Sequence, residues 1–248
     1  MSLGQALATA MSGLRATQAN LSLVSSNVAN AETPGYVRKT INQVATTTSN
    51  VGSGVRTAGV NRELDLYIQR QLRIETSGAA YANERSSALQ QLQSIYGTPG
   101  STSTLETSYN SLLSSLQSLS TSTDSQSARL SVINAAKALT QQLNSMSQGI
   151  QSLRSAAESG ISSSVNTANS AMKQIADINV KLRGLASSDP AAAALMDQRD
   201  SAIDQLSQLM DVRVVMDDSG QANVFTNSGV QLVGAQASTI SFNASMTG

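Results

Sequence analysis

The 248-residue sequence contains no cysteine, no histidine and no tryptophan. Without cysteine the chain can form neither a disulfide nor a thiolate centre. Without histidine it lacks the commonest general base and the commonest metal ligand of proteins. Aromatic residues make up only 3% of the chain, although they usually supply much of the buried area of an enzyme core. We therefore expect a protein that is not an enzyme, with no catalytic residue, no cofactor and no bound metal.

Charge and long apolar runs are also scarce. Only 13% of residues are charged, and 16 basic residues balance 16 acidic ones, so the basic surface of a nucleic-acid-binding protein is missing. The longest apolar run, Ala191 to Met196, is far shorter than the roughly 20 residues of a membrane span. Polar residues interrupt the first thirty positions, which argues against a cleaved signal peptide. We expect no nucleic-acid partner and no membrane insertion, and taken alone these absences indicate a cytoplasmic protein.

What the sequence does have is an apolar stripe at heptad spacing near its start. Its positions alternate in steps of four and three, and only Thr17 among them is polar. So narrow a stripe faces one partner helix rather than a wide core. It predicts a helix over 3–30 that pairs in an assembled structure, although an ordinary amphipathic helix is the alternative. We call this stripe the assembly seam, and its apolar residues are Leu3, Leu7, Ala10, Leu14, Leu21, Val24 and Val28.

The seam runs into a sharp corner at residues 33–38. Pro34 ends the helix, because the residue before a proline is pushed away from helical geometry. Gly35 can supply the positive φ of a type II turn. A simple helix stop explains neither Tyr36, a residue type enriched at protein interfaces, nor Arg38. We expect these two side chains to contact a neighbouring subunit.

The rest of the chain predicts a mainly α protein. Its N-terminal heptad helix is followed by a long antiparallel helical bundle of the coiled-coil type, and a small antiparallel β region lies near the C-terminus. The predicted domains are 1–60, the assembly helix with its turn and extended segment; 61–210, the elongated helical bundle; and 211–248, the start of a β-rich domain. The later helices are predicted at 62–96, 104–119, 126–186 and 190–210, and the strands at 37–48, 55–60, 212–216, 222–225 and 230–233.

Three segments resemble chemical sites. Asp197, Asp200 and Asp204 could form a metal site or a carboxylate pair, but a solvated helix face with Asp–Arg pairs that orient a neighbouring helix is favoured. Residues 217–220 lack the closing ligand of a calcium loop and predict a hairpin turn. Residues 49–54 lack a phosphate-loop lysine and predict a flexible turn.

The N-terminal motif resembles that of the bacterial flagellar axial proteins, the family of rod, hook and hook-associated proteins. The similar segments are 11–21, 26–30 and 33–38. Transferred to this sequence, the resemblance implies a subunit-interface motif at Asn27, Asn30, Thr33, Pro34, Gly35, Tyr36 and Arg38.

The layout after the motif is similar to that of the hook–filament junction members. Rod and hook members become β-rich soon after Tyr36, whereas here a long coil follows and leads into 195–200 and 206–216. The resemblance implies a structural protein that self-associates in a ring at the hook tip and connects hook to filament. It implies contacts with the hook protein and a second junction protein, and an export chaperone is a possible further partner. The location implied is extracellular, in the flagellum, after type III export without a cleaved signal peptide.

Family members of this kind also pair their N-terminal helix with a C-terminal one. No second terminal heptad helix precedes Gly248. We therefore expect either a truncated product or an inner coiled coil that does not form within one chain.

Three alternatives stay open at this point. The nearest is a rod or hook protein of the same family. The second is a soluble coiled-coil signalling or adhesion protein, which leaves the corner at 33–36 unexplained. The third is a wall-cleaving hydrolase, which the missing histidine and the lack of a convincing carboxylate pair disfavour.

Overall fold

The computed structural model describes residues 3–48, 51–98, 100–101, 104–186 and 189–244. The predicted fold class is confirmed: the chain is mainly helical, with one very long helix and a small antiparallel sheet near the end. The helices are α1 Leu3–Ala29, α2 Leu66–Tyr96, α3 Leu105–Thr121, α4 Gln126–Leu182 and α5 Pro190–Leu209. The strands are β1 Lys39–Thr48, β2 Val51–Arg62, β3 Val212–Met216, β4 Ala222–Thr226 and β5 Gln231–Val233.

Side-chain caps set the starts of several helices, including α2 and α5. The Asp189 carboxylate accepts a hydrogen bond from the Ala191 amide at 2.8 Å, and Pro190 occupies the first turn of α5, which is where the helix 190–210 is predicted to begin. The helix α2 begins at Leu66 rather than at the predicted residue 62, because residues up to Arg62 still belong to a strand. The Asp65 carboxylate accepts from the amides of residues 67 and 68 at 2.9 and 3.2 Å.

The hairpin β1–β2 is longer than the sequence predicts. β1 and β2 pair antiparallel with register shifts after Asn42 and Thr46. The expected flexible turn at 49–54 is wrong for 51–54, which belong to β2, while 49 and 50 lie outside the described residues. Gly54 has a φ of +152° beside the second shift. Glycine tolerates such a bulge conformation inside a strand, and its presence in the sequence resembles a turn signal.

The first compact unit, Met1–Gly78 with Val165–Ser241, holds the main hydrophobic core. The sheet β3–β4–β5 packs against the last turns of α4 and one face of α5. The predicted turn at 217–220 joins β3 to β4, with Gly220 at a φ of +76°. The largest fully buried apolar side chains are Met172, Ile175, Ile203, Leu206, Val224 and Val233.

The second unit, Ala79–Ser164 with Phe242–Gly248, contains most of α2, all of α3 and the first part of α4. A Cβ added at Gly149 would lie 3.1 Å from the Ile95 side chain, so glycine permits the close approach of α4 to α2. Most heptad positions of this unit remain half-exposed, including Leu89, Leu143 and Ile161. The three predicted domains, 1–60, 61–210 and 211–248, remain a prediction; the two units group residues by spatial proximity alone.

Asn179 gives a first prediction. It lies in the heptad stripe of α4 and is 1% exposed; its side chain donates to the Ala222 carbonyl at 2.9 Å and accepts from the Ala222 amide at 3.1 Å. Asn179→Leu leaves both backbone groups unpaired in the core. We expect a loss of about 3 kcal/mol in the free energy of unfolding, measured by urea denaturation. Asn166→Leu, on the exposed face of the same helix, is the control, and an equal effect of both variants would contradict this role.

Candidate assembly surface

The helix α1 rests on the β1–β2 hairpin through small side chains. Ala16 is 4% exposed, the lowest value in α1. The Ser12 hydroxyl accepts from the Val55 amide at 3.1 Å and donates to the Thr9 carbonyl at 2.7 Å. Because Ser12, Ala16 and Thr9 recur at helical spacing, one narrow face of α1 is attached to the hairpin and the remaining faces are left open.

The assembly seam lies on an open side of α1. Its apolar side chains are all exposed, from 53% at Leu14 to 90% at Leu3 among the larger ones. At 100° per residue, seam positions such as Leu14 and Leu21 lie about 140–180° around the helix from the hairpin-facing positions Ser12 and Ala16. A continuous exposed apolar stripe marks an interaction site. The structure therefore presents the stripe to solvent, and pairing with another helix stays a prediction.

Gly54 gives a second prediction, because it lies directly under α1. A Cβ at this position would stand 2.5 Å from the Ser12 hydroxyl, on a backbone with a φ of +152°. We expect Gly54→Ala to weaken the packing of α1 on the hairpin by about 1–3 kcal/mol, measured as faster amide hydrogen exchange over 3–29.

Gly13→Ala is the matched control for that variant. Nothing lies within 4 Å of a Cβ at Gly13, and alanine favours a helix over glycine by about 1 kcal/mol. Exchange should therefore be unchanged or slower. Faster exchange in Gly13→Ala, or normal exchange in Gly54→Ala, would contradict this packing.

At the end of α1, Asn27 joins the helix to the start of β1. Its side chain donates to the Lys39 carbonyl at 2.8 Å and accepts from the Lys39 amide at 3.0 Å, as a neighbouring strand would. The Tyr36 hydroxyl donates to the same Asn27 oxygen at 2.9 Å, and the Lys39 ammonium lies 3.9 Å from the Tyr36 ring centroid. The corner is thus a turn held by side-chain hydrogen bonds and a cation–π contact, rather than a simple helix stop.

Most of the seven motif residues make side-chain contacts within the chain. The Asn30 side chain donates to the Ser26 carbonyl at 2.9 Å, and the Thr33 hydroxyl donates to Asn30 at 3.3 Å. Gly35 has a φ of +78°, as the predicted turn requires; like Thr33, Pro34 is exposed. The role of the motif residues at a subunit interface stays a prediction.

Arg38 is the motif residue whose side chain remains available. It is exposed, and its guanidinium makes no hydrogen bond or ion pair with any residue that the structure describes. It lies beside a groove of about 710 Å³ that also includes the seam residues Val24 and Val28. Arg38 is therefore better placed than Tyr36 for contact with another molecule.

A buried ion-pair network ties the base of the hairpin to α5. Arg62 donates to Asp197 at 2.8 Å and to Asp200 at 2.6 Å, and Lys39 also pairs with Asp197. Arg73 of α2 donates to Asp204 at 2.6 Å and lies 3.7 Å from Asp200. We call these six side chains the ion network; they are Lys39, Arg62, Arg73, Asp197, Asp200 and Asp204.

The prediction of a solvated acidic face on α5 is wrong. Asp200 is 7% exposed and Arg199 is 3% exposed, because the β1–β2 hairpin and α2 cover this side of α5. Burial is the main cause that lowers the pKa of Arg199; the nearby Asp200 opposes the shift, and Arg62 and Arg73 add to it. Arg199 donates from Nη1 to the Gly220 carbonyl at 2.8 Å. The Asp–Arg pairs do orient a neighbouring helix, as predicted, through Arg73.

Two features are absent from the described residues. No group of three or more acidic side chains there is arranged to hold a metal ion. None of the helices in this part of the chain combines the length and hydrophobicity of a membrane span.

Comparison with protein-family models matches two segments. Residues 89–247 match the helical domain of the flagellar hook-associated protein FlgK. Residues 7–36, which contain the seam from Leu7 onward and the corner up to Tyr36, match the flagella basal body rod protein family. The first match covers most of the chain.

Individual relatives agree with these matches. The chain is 31% identical over 229 residues to flagellar hook-associated protein 1 of Bacillus subtilis (strain 168). This match covers 86% of this chain and 44% of the relative. The chain is 32% identical over 231 residues to the protein of the same name from Escherichia coli (strain K12). This match covers 90% of this chain and 42% of that relative. The flagellar hook junction protein FlgK of Burkholderia pseudomallei has a similar structure, with a TM-score of 0.59 and 28% identity over 67% of this chain and 29% of that one. The chain spans less than half the length of the curated relatives it matches.

Proposed function

The chain belongs to the family of the flagellar hook-associated protein FlgK, and we propose that it is a structural component of the hook–filament junction of the bacterial flagellum. In this role it connects the hook to the filament and catalyses no reaction. The relatives named hook-associated protein 1 support the proposal, as does the solved junction protein with a similar fold.

The single observation that carries the proposal is the free seam on a fixed helix. α1 is held from behind by Ala16 and Ser12, while Leu14 and Leu21 are more than half exposed. A helix used only to close its own core would turn its leucines inward and its small residues outward. The opposite arrangement suits a subunit whose seam is buried by other helices after assembly.

The partners follow from this role. We propose that the chain associates with copies of itself in a ring and contacts the hook protein on one side and a second junction protein on the other. A flagellar export chaperone is a further proposed partner. The location is the flagellum outside the cell, and the proposed route is the flagellar type III system without cleavage of a signal peptide.

The rod or hook protein is the nearest alternative. The match over residues 7–36 is to the rod family, so the N-terminal motif does not distinguish these members. The match over 89–247 is to the FlgK helical domain, and it includes α3, α4 and α5. We therefore favour the junction role.

Deletion of the gene in its host tests the proposal. Loss of a junction component should leave rods and hooks of normal length on the cell, with filament protein released into the medium rather than polymerised. Electron microscopy of the cells and immunoblots of the medium give both readings. Cells without hooks would indicate a rod or hook protein instead, and normal filaments would contradict all three flagellar roles.

A further inference from the structure

A second apolar surface lies apart from the seam, in a groove of about 540 Å³. The groove is formed by the start of α2, part of α5 and strand β3. Apart from the buried Val212, its large apolar side chains are exposed or only half-buried, and they are Leu66, Met196, Val214, Val215 and Met216. Contiguous apolar surface of this kind marks a binding site.

The groove also carries an excess of positive charge. The arginines that line it are Arg62, Arg70, Arg73 and Arg199, whereas among its described lining residues the only carboxylate belongs to Asp200. The carboxylates of the ion network neutralise Arg62 and Arg73, whereas Arg70 and Arg199 make no ion pair with any described residue. Arg70 is exposed and makes no ion pair or hydrogen bond with a described residue. Arg199 is buried, and within the described part of the chain its Nε has no acceptor.

The helix α3 presents a surface of complementary chemistry. Glu106 is its only charged residue and is exposed. Tyr109, Leu113 and Leu116 follow at steps of three, four and three, so they share one face with Glu106. These three are 52%, 40% and 44% exposed. We call these four residues the α3 stripe; it spans about 15 Å at the rise of an α-helix.

We propose that the α3 stripe of one copy docks into this groove on a second copy, with the Glu106 carboxylate against Arg70. The apolar side chains of the stripe cover the exposed wall at Leu66 and Met216, and the carboxylate offsets the unpaired positive charge. Donor and acceptor are different surfaces, so the contact is heterologous and repeats from copy to copy until a ring closes. This inference rests on the proposed self-association in the junction.

Charge reversal on full-length chains tests the contact. Sedimentation velocity over a concentration series should show association of the wild-type chain. Arg70→Glu and Glu106→Arg should each weaken it about tenfold, the size typical of a close interfacial charge pair. The double variant restores the opposite charges and should regain the wild-type affinity. Both residues are exposed, so neither change disturbs the core.

Matched controls are Arg85→Glu and Glu84→Arg, exposed residues of α2 outside the groove, which should associate normally. A wild-type chain that stays monomeric, single variants without effect, or a double variant no better than the singles would each overturn the contact. The proposed function is tested separately in the host. A flagellar junction that accepts both single variants contradicts only this contact, whereas a chain that associates through the groove but is absent from the flagellum contradicts the junction role.

Discussion

Leu14→Asp and Leu21→Asp are expected to abolish incorporation of the chain into the flagellum while leaving the rest of the chain folded. Both side chains are more than half exposed on the seam. A carboxylate at either position is therefore solvated in the free subunit and lowers its folding stability little. Once a partner helix covers the seam, the same carboxylate is buried without a counter-charge, which costs several kcal/mol. The predicted phenotype is a cell with hooks and no filaments.

Two measurements separate failed assembly from failed folding. The unfolding midpoint of the purified variants should match the wild type, because the core of the first unit lies in α4, α5 and β3–β5. Ser22→Asp is the matched control: Ser22 is exposed and lies outside both the seam and the hairpin-facing positions. A strain with only Leu21→Asp that grows normal filaments would refute the assembly role of the seam.

Asp200→Asn is expected to have the largest effect on stability. This carboxylate accepts from Arg62 at 2.6 Å and lies 3.7 Å from Arg73, and both guanidinium side chains are about nine-tenths buried. The amide keeps the shape of the side chain but removes its charge, so buried cations lose a partner. Breaking one side of a buried ion pair costs about 3–5 kcal/mol.

Urea denaturation measures this loss, and two carboxylates provide a graded comparison. The Asp204 side chain is 40% exposed although its partner Arg73 is 8% exposed, so Asp204→Asn should cost about 1–3 kcal/mol, less than Asp200→Asn, because water screens the exposed carboxylate. Asp218→Asn, exposed in the β3–β4 turn, should cost nothing measurable. If the urea unfolding midpoint of Asp200→Asn equals that of the wild type, the ion network does not stabilise the attachment of the hairpin to α5.

The sequence was sufficient for features that depend on periodicity and on local turn chemistry. The heptad positions of α4 at Met172, Ile175 and Leu182 are buried as the pattern predicts. Asp189 and Pro190 gave the start of α5 because a cap acts within three residues. The strand predicted at 55–60 lies within β2, but its glycine-rich start at 51–54 was missed, since its strand character depends on pairing with β1 and on bulges that glycine tolerates.

Long-range polar contacts could not be predicted in the same way. Asn27, Asn169 and Asn179 each use one amide to pair with both the N–H and the C=O of a distant residue. In the sequence each is one polar residue within a helix, and nothing nearby identifies its partner. The burial of Asp200 was missed for the same reason, because its cations come from positions 62 and 73. The motif at 27–38 is recognisable in the sequence, but the hydrogen bonds within it depend on the folded conformation.

Localisation of the chain on the flagellum tests the central claim most directly. An epitope-tagged chain expressed from its own gene can be labelled with gold and viewed by electron microscopy on intact cells. The junction role predicts label confined to the boundary between hook and filament. Label along the hook, in the rod or retained in the cytoplasm would contradict it.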